Sequence, residues 1–387
     1  MKKHYKLTRQ LAIAAALSVS AMHTMAQSDA ASIIKAGTSD ANKLMTAYAG
    51  PLAKSVGASL NSGWFQTAKP HGLGGFDITV IGNLVLIPDA DKSYNVNNLG
   101  LQNVRLKAGQ PESAPSVFGS RDNAPEVEIH GQSPFTNQDT AFTSFALPPG
   151  IGIGMLPVPM AQVSVGVGFG TEVSVRFMPT VKVQDLNLGL FGMAVKHDFK
   201  QWIPGMSALP FDLSAMFGFT NMSADLKFEG DKAIKPERNS DGTDNSMIYY
   251  GDASGNYDNQ KMELKSKAWT TNIVISKKLG PFTPYLGVGY QKSTTDIDLL
   301  GTFPITVPND PASALNPTNP AFAKAARITN ITDPIHVSGT LSGMRATAGF
   351  RLKFALITIH GDYTFAEYNV ASVGIGLNLQ SAVPFKL

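Results

Sequence analysis

His360 and Asp362 stand two residues apart in a segment that alternates apolar and polar side chains. Ile357, Ile359, Gly361, Tyr363 and Phe365 alternate there with Thr358, His360, Asp362, Thr364 and Ala366. Residues two apart on an extended strand share a face, so an imidazole beside a carboxylate would suit acid–base work. Further charges fall on the polar faces of similar segments: Asp77, Glu172, Arg176, Asp212, Arg345, Arg351 and Lys353. Charges gathered inside a small barrel can bind a plug, line a pore or hold a ligand headgroup. The expectation is a mutual ion-pair network that fixes a plug, which specifies an arrangement more than it adds stability. A hydrolase would need a positioned nucleophile, and none can be nominated. The chain has no GxSxG elbow, HExxH helix or phosphate loop, so it is read as not an enzyme, with an outer-membrane hydrolase as the third-ranked function.

Trp64, Phe65, Lys69 and His71 lie together in the turn-rich stretch 63–71. They are the candidates for contact with a ligand in a lumen, or for anchoring a plug to the wall. His71 has no partner nearby in sequence, so no metal role is expected. Residues 252–258 carry oxygen ligands at alternate positions but lack the glycine and terminal Glu of an EF-hand loop. No cofactor and no metal are assigned.

The elements that would position these residues are strands. Read in steps of two, residues 339–354 place Met344, Ala346, Ala348, Phe350, Leu352 and Phe354 opposite Arg345, Thr347, Gly349, Arg351 and Lys353. Residues 372–380 set Val373, Ile375, Leu377 and Leu379 against Ser372, Gly374, Gly376, Asn378 and Gln380. Period-two alternation over about ten residues marks a strand with one apolar and one wet face, and serial copies fit an outer-membrane barrel. Similar patterns run through 76–87, 158–177, 211–220, 269–276 and 282–290, with weaker alternation in 186–197. A tight turn is expected at 168–171, with one long strand as the alternative. About ten strands are readable, and 88–155 could raise the total to twelve or fourteen. Numbered back from a C-terminus in the periplasm, the long polar stretches 229–265 and 301–336 both fall outside, and the short turns 279–281 and 354–356 fall below. Phe211, Trp269, Phe282, Tyr290, Tyr363, Phe365 and Tyr368 suit aromatic girdles.

The fold class is therefore all-β, a transmembrane antiparallel barrel of about 10–14 strands with an N-terminal helical plug. Residues 1–26 read as a secretory signal: Lys2, Lys3, Lys6 and Arg9 precede a short apolar core at 11–19 and a small-residue cleavage site at 24–26. Residues 27–75 form the helical segment. Ser39 or Asp40 caps it, Leu44, Tyr48, Leu52 and Val56 follow at helical spacing, and Pro51 kinks it or divides it in two. It either plugs the lumen or packs beneath it; a barrel of this size leaves a lumen to fill, which favours the plug. Residues 76–387 form the barrel, with outer loops 88–155, 229–265 and 301–336. Short strands are expected at 101–106 and 127–130.

Composition agrees. Cysteine is absent, which excludes disulfides and thiol chemistry. The net charge of +3 is too small to argue for nucleic acid. Charged residues are 16% of the chain, below the roughly 25% of soluble domains, and glycine is abundant.

On Gly63-Trp64-Phe65-Gln66-Thr67-Ala68-Lys69-Pro70-His71 with Gly74-Gly75-Phe76-Asp77, and Gly170-Thr171-Glu172-Val173 with Arg176-Phe177, the chain resembles a family of uncharacterised exported barrel proteins of Bacteroidetes-type bacteria. That resemblance implies a location and no activity. A more distant similarity, in architecture alone, is to long-chain fatty-acid transporter barrels. The C-terminus departs from the usual barrel ending, since 381–387 run past the last strand. The leading functional expectation is an outer-membrane barrel that binds or passes a small hydrophobic solute. The alternative is a structural or surface-interaction barrel acting through its external loops. Expected partners are outer-membrane lipid, the barrel-assembly machinery and an apolar small molecule, with no nucleic acid.

Overall fold

A computed structural model describes residues 33–34, 36–122, 124–133, 135–183, 186–206, 209–228, 230, 233–236, 248–250, 255 and 257–379. The expected signal at 1–26, most of the 252–258 loop and the 381–387 tail lie outside the described residues. The first long element is a helix, α1 (Thr38–Leu60), rich in small residues and buried along Ala41, Leu44, Ala49, Ala53, Val56, Ala58 and Leu60. It runs unbroken through Pro51, so the expected division in two does not occur. Packing on all sides holds a helix that its own propensity would interrupt. Neither Ser39 nor Asp40 caps it; Gly37, at a φ of 81°, holds the capping position and Asp40 lies in the first turn.

Strands follow in order: β1 (Phe76–Leu86), β2 (Ser93–Asn95), β3 (Val104–Leu106), β4 (Ser113–Pro115), β5 (Glu126–Gln132), β6 (Asp139–Ala146), β7 (Met155–Gly168), β8 (Thr171–Val183), β9 (Leu186–Asp198) and β10 (Asp212–Lys227). Then come β11 (Ile248–Tyr249), β12 (Lys261–Ser276), β13 (Phe282–Leu300), β14 (Thr302–Pro308), a short helix α2 (Pro311–Ala314), β15 (Ala326–Thr332), β16 (Ile335–Phe354), β17 (Ile357–Phe365) and β18 (Asn369–Leu379). Among the described residues ten strands close one barrel in the order β1-β18-β17-β16-β13-β12-β10-β9-β8-β7. Every neighbouring pair in it is antiparallel, and β1 seals it between β18 and β7, Phe76 facing both Leu379 and Val165. No described helix is long and apolar enough to cross a membrane, which says nothing of crossing by strands.

The tight turn at 168–171 forms as expected, with Phe169 and Gly170 both at positive φ. Connections alternate between the two ends. At one end 169–170, 277–281 and 355–356 are short; at the other 87–154, 228–260 and 301–334 are long. Other connections depart from the rule: 366–368 is short at the long-connection end, and 199–211 at the short-turn end is longer and exposes Trp202, Ile203 and Leu209. The long connections are also more ordered than a solvated-loop reading allows. Residues 302–308 and 326–332 pair as β14 and β15, and β12 starts at Lys261, inside the expected loop 229–265. Together with β2–β6 these strands make three small sheets, β2-β4, β3-β5-β6 and β11-β15-β14, that cap the barrel. The strands expected at 101–106 and 127–130 are β3 and β5.

Polarity along the tall strands reverses with height. Near the short-turn end Ile273, Ile275, Leu286, Val288, Met344 and Phe350 point outward and exposed, while Ser276, Asn272, Thr283, Gln291, Arg345 and Thr347 point inward and buried. Toward the cap the same strands bury Leu226, Ile297, Leu299, Ile335, Val337 and Leu341, and Lys265, Lys267, Lys292, Ser338 and His336 face out. The lower part is a membrane-type wall, apolar outside and polar inside. The upper part has the polarity of a water-soluble protein. Aromatic pairs mark the band: Trp269 with Phe217 and Tyr290 at 6.3 and 5.8 Å, and Phe282 with Phe350 at 6.1 Å. Tyr368 departs from the girdle reading. It is fully buried and donates its hydroxyl to Asp91, and burial, then that hydrogen bond, pushes its phenol up.

Candidate functional site

The site is the contact between the N-terminal segment and the inside of the barrel, and it has three levels. At the top, the first turn of α1 meets the cap. Asp40 is buried and accepts backbone N–H groups of Gln102 (2.9 Å), Asn103 (2.7 Å) and Val104 (3.1 Å). Asn42 brackets the start of β16: its amide donates to the Pro334 carbonyl at 3.1 Å and its oxygen accepts the His336 N–H at 2.7 Å. Lys43 donates to the Gly100 carbonyl. A carboxylate in the first turn is also favoured by the positive end of the helix dipole.

Lower down, α1 lies directly on the wall. A Cβ at Gly57 would overlap the Ser293 side chain of β13, so only glycine allows the helix this close. The helix then stops in mid-lumen with its last carbonyls unsatisfied, as every helix end leaves them. Two arginines from different strands meet them. Arg176 on β8, fully buried, donates to the Leu60 carbonyl (3.2 Å), the Ser62 carbonyl (2.8 Å) and Gln162 Oε1 (2.9 Å), and stacks 3.7 Å over the Trp64 ring. Arg345 on β16 donates to the Asn61 carbonyl at 2.6 Å and to Thr364 Oγ1 at 3.2 Å. Asn83 on β1 adds a bond to the Ser59 carbonyl at 2.9 Å. Cations at a helix C-terminus also complement the negative end of its dipole. The helix carries no basic residue in its own last turn, and the wall supplies the charge instead.

At the third level the chain leaves the helix and crosses the lower lumen. Phe65 packs edge-on against Tyr285 at 5.9 Å. The Ala68 N–H donates to Ser276 Oγ at 3.0 Å, and Ser214 donates to the Ala68 carbonyl. His71 donates both its backbone N–H (3.0 Å) and Nδ1–H (2.7 Å) to Glu172, and its Nε2 accepts from the Asn378 amide at 2.6 Å. These partners fix the imidazole tautomer with the proton on Nδ1. Lys196 completes the group, 2.9 Å from the other Glu172 oxygen and 3.3 Å from the Thr67 carbonyl. Gly74 and Gly75 then exchange backbone bonds with Gly166 of β7, and β1 begins.

The candidates from sequence separate clearly. Trp64, Phe65 and His71 are buried in these contacts, while Lys69 is exposed at the lower end. Among the described residues the expected network of mutual ion pairs does not form. Glu172 pairs with Lys196, and Arg176 and Arg345 spend donors on plug carbonyls. Asp362 accepts from the Tyr285 hydroxyl at 3.0 Å and not from His360, so the two do not form an acid–base pair. Lys353 donates to Asn378; Arg351 is buried in the lower wall and Asp212 is half-buried where β10 begins. Lys196, Asn83 and Gln162 were missed by sequence reasoning. Lys196 was discoverable from parity, because it shares a face with Ala194 and lies opposite Glu172 in the β8–β9 register. Among the described residues no three His, Cys, Asp or Glu side chains converge to hold a metal ion.

The chain belongs to the family of unknown function DUF6588, whose model matches residues 1–379. It matches no curated protein. Solved structures to which it is similar include Ail, the attachment invasion locus protein of Yersinia pestis, at 7% identity, 79% of this chain, 99% of that one and a TM-score of 0.22. The outer membrane protein OprG of Pseudomonas aeruginosa is similar at 10% identity, 81% and 99% coverage and a TM-score of 0.26. The outer membrane protease OmpT of Escherichia coli is similar at 8% identity, 79% and 97% coverage and a TM-score of 0.22. OprG and OmpT are outer-membrane proteins by name, and likenesses this remote carry no argument. The similarity to fatty-acid transporters gains nothing from them.

Proposed function

We propose that this family member is a sealed, capped barrel of the bacterial outer membrane that works through its outer cap, as a structural or surface-interaction protein and not as an enzyme or a solute pore. One observation carries the reading: the lumen is occupied by the chain's own residues 38–71, bonded to the wall at three levels. A hydrogen bond to a charged group contributes roughly 1.5–3 kcal/mol, and Arg176 and Arg345 together make three to plug carbonyls. The outward apolar band supports placement in a bilayer, because an exposed apolar surface of that extent is unstable in water. The cap supports an external role. Its sheets bury Val104, Val127, Ile129, Phe303 and Ile305 in one apolar cluster with Leu44 and Leu52 of α1, so it presents a fixed surface. Passage of a hydrophobic solute rests on the apolar residues mixed into 186–197 together with Trp64 and Phe65, and both of these rings are committed to Arg176 and Tyr285.

The test is planar-bilayer conductance and liposome uptake with the purified full chain. The reading expects closed bilayers and no protein-dependent entry of an apolar probe. Steady open-pore conductance or probe uptake would return the solute-passing reading to first place. In parallel, replacing 302–332 by a short turn should leave a heat-modifiable barrel and abolish the binding that intact cells owe to this protein.

A further inference from the structure

The direction in which the chain runs through the barrel has a consequence for where its beginning lies. The residues before β1 touch the wall in strict order of height. Asp40 and Asn42 bond the cap and the top of β16. Residues 60–62 bond Arg176 and Arg345 in mid-lumen. Ala68 and His71 bond Ser276, Glu172 and Asn378 at the short-turn end, where β1 then starts. At 1.5 Å per residue the 23 residues of α1 alone reach roughly 34 Å, more than the ~30 Å hydrocarbon core of a bilayer. The segment therefore threads the barrel from the cap end to the short-turn end, and does not dip in from below and return.

Short turns in such barrels face the periplasm and long connections face outside. We infer that the N-terminal segment runs through the lumen from the short-turn end to the cell surface, so that the start of α1 is exposed outside the cell. This rests on the outer-membrane reading above. Thr38 and Ser39, at the start of α1, are exposed at the cap end. The upper end is also built to keep the segment in place. Ile33 and Ile34 are buried in the cluster that holds Leu44, Val337 and Phe303, so the cap's apolar core includes this segment.

The chain contains no cysteine, which makes the test direct. Single cysteines are placed at Ser39 (upper end of the plug), Ala312 (exposed on α2 of the cap) and Lys278 (the 277–281 turn), each in the full-length protein. Folding is checked by heat-modifiable migration, and Thr38→Cys stands in for Ser39→Cys if that variant fails to fold. Intact cells are treated with a membrane-impermeant maleimide. Labelling of S39C to the same extent as A312C, with K278C silent until the outer membrane is permeabilised, is the expected result. Labelling of S39C only after permeabilisation, while A312C labels on intact cells, would overturn the threading and leave the capped-barrel reading standing. Labelling of K278C with A312C silent on intact cells would overturn the membrane orientation and the display inference together.

Discussion

Replacing Arg176 tests whether the wall arginines seal the lumen. Arg176→Met keeps the length and apolar bulk of the side chain and removes every donor. The Leu60 and Ser62 carbonyls lose bonds of 3.2 and 2.8 Å, and Trp64 loses the cation 3.7 Å from its ring. Leu60 keeps only a long contact from Thr220 at 3.4 Å. Leaving buried carbonyls without their charged donor costs about 1–3 kcal/mol apiece, and the lost cation–π contact contributes up to about 2, so a cost of about 3–4 kcal/mol is expected. The loss falls on the docking of the helix end, since the strand ladder of β8 is untouched. At one factor of ten per 1.4 kcal/mol, amide exchange across residues 57–66 should quicken by roughly a hundred- to a thousand-fold. The assay is hydrogen exchange read by mass spectrometry in detergent, with peptides from β12, β13 and β16 as internal reference. Brief conductance events in a planar bilayer should accompany it. Unchanged protection at 57–66 in a folded R176M barrel would refute the seal. So would equal loss across 57–66 and the reference strands, because that would make Arg176 a general stability residue.

Four further outcomes follow from the same contacts. Glu172→Gln leaves Lys196 buried without a charge partner and should cost about 3–5 kcal/mol; adding Lys196→Met should recover most of it, which thermal unfolding in detergent will show as a double-mutant cycle. Gly57→Val drives a side chain into Ser293; overpacking of about 1–3 kcal/mol should raise the frequency of conductance events without loss of the heat-modifiable band. Asp40→Ala strips the acceptor from three backbone N–H groups, each costing about 1–3 kcal/mol if left unpaired, and protease added to intact cells should then cut near residues 100–105. His336 donates to Asp298 in the polar upper wall, and that hydrogen bond raises its pKa above the ordinary 6.5. A raised pKa in the folded state stabilises fully below 6.5 and is lost as pH climbs through the folded value. Exchange at the 298–300 and 335–337 strand ends should therefore quicken above pH 6.5 in the native chain and show no such step in His336→Gln.

The barrel was legible because its lipid-facing strands obey one rule over and over. The alternation in 339–379 set the strands, and loop lengths set which end faces out. The cap was not legible because height reverses the rule. On β13, Thr294, Asp296 and Asp298 face outward just above Leu286 and Val288, so a pattern read for an apolar outer face loses its signal where the wall leaves the bilayer. The plug's partners were hidden for another reason. Arg176 and Arg345 read as lumen charges, and carboxylates were expected to answer them. Backbone carbonyls do so, and since every residue has one, no sequence pattern can mark which will be used. Lys196 escaped notice because both faces of β9 carry apolar residues, which blurs the parity that would have set it opposite Glu172.

The two ends of α1 explain why a helix, and not a strand or coil, occupies the lumen. An extended segment would present unpaired N–H and C=O groups along its whole length, and the wall would need a polar partner for each. A helix satisfies its interior and concentrates the deficit in its last turn at each end. The protein then needs polar partners at only two heights. Above, Asp40 joins the N-terminal turn to the cap's backbone N–H groups; below, Arg176, Arg345 and Asn83 take the final carbonyls. Between those heights the helix backbone satisfies itself, so Ala53 can lie against Gly339 and Gly57 against Ser293, while Ser55 bonds the Leu52 carbonyl and Lys54 pairs with Glu367. The same economy argues against an easily moved plug. Sliding α1 by one turn, about 5.4 Å, would part both sets of partners at once.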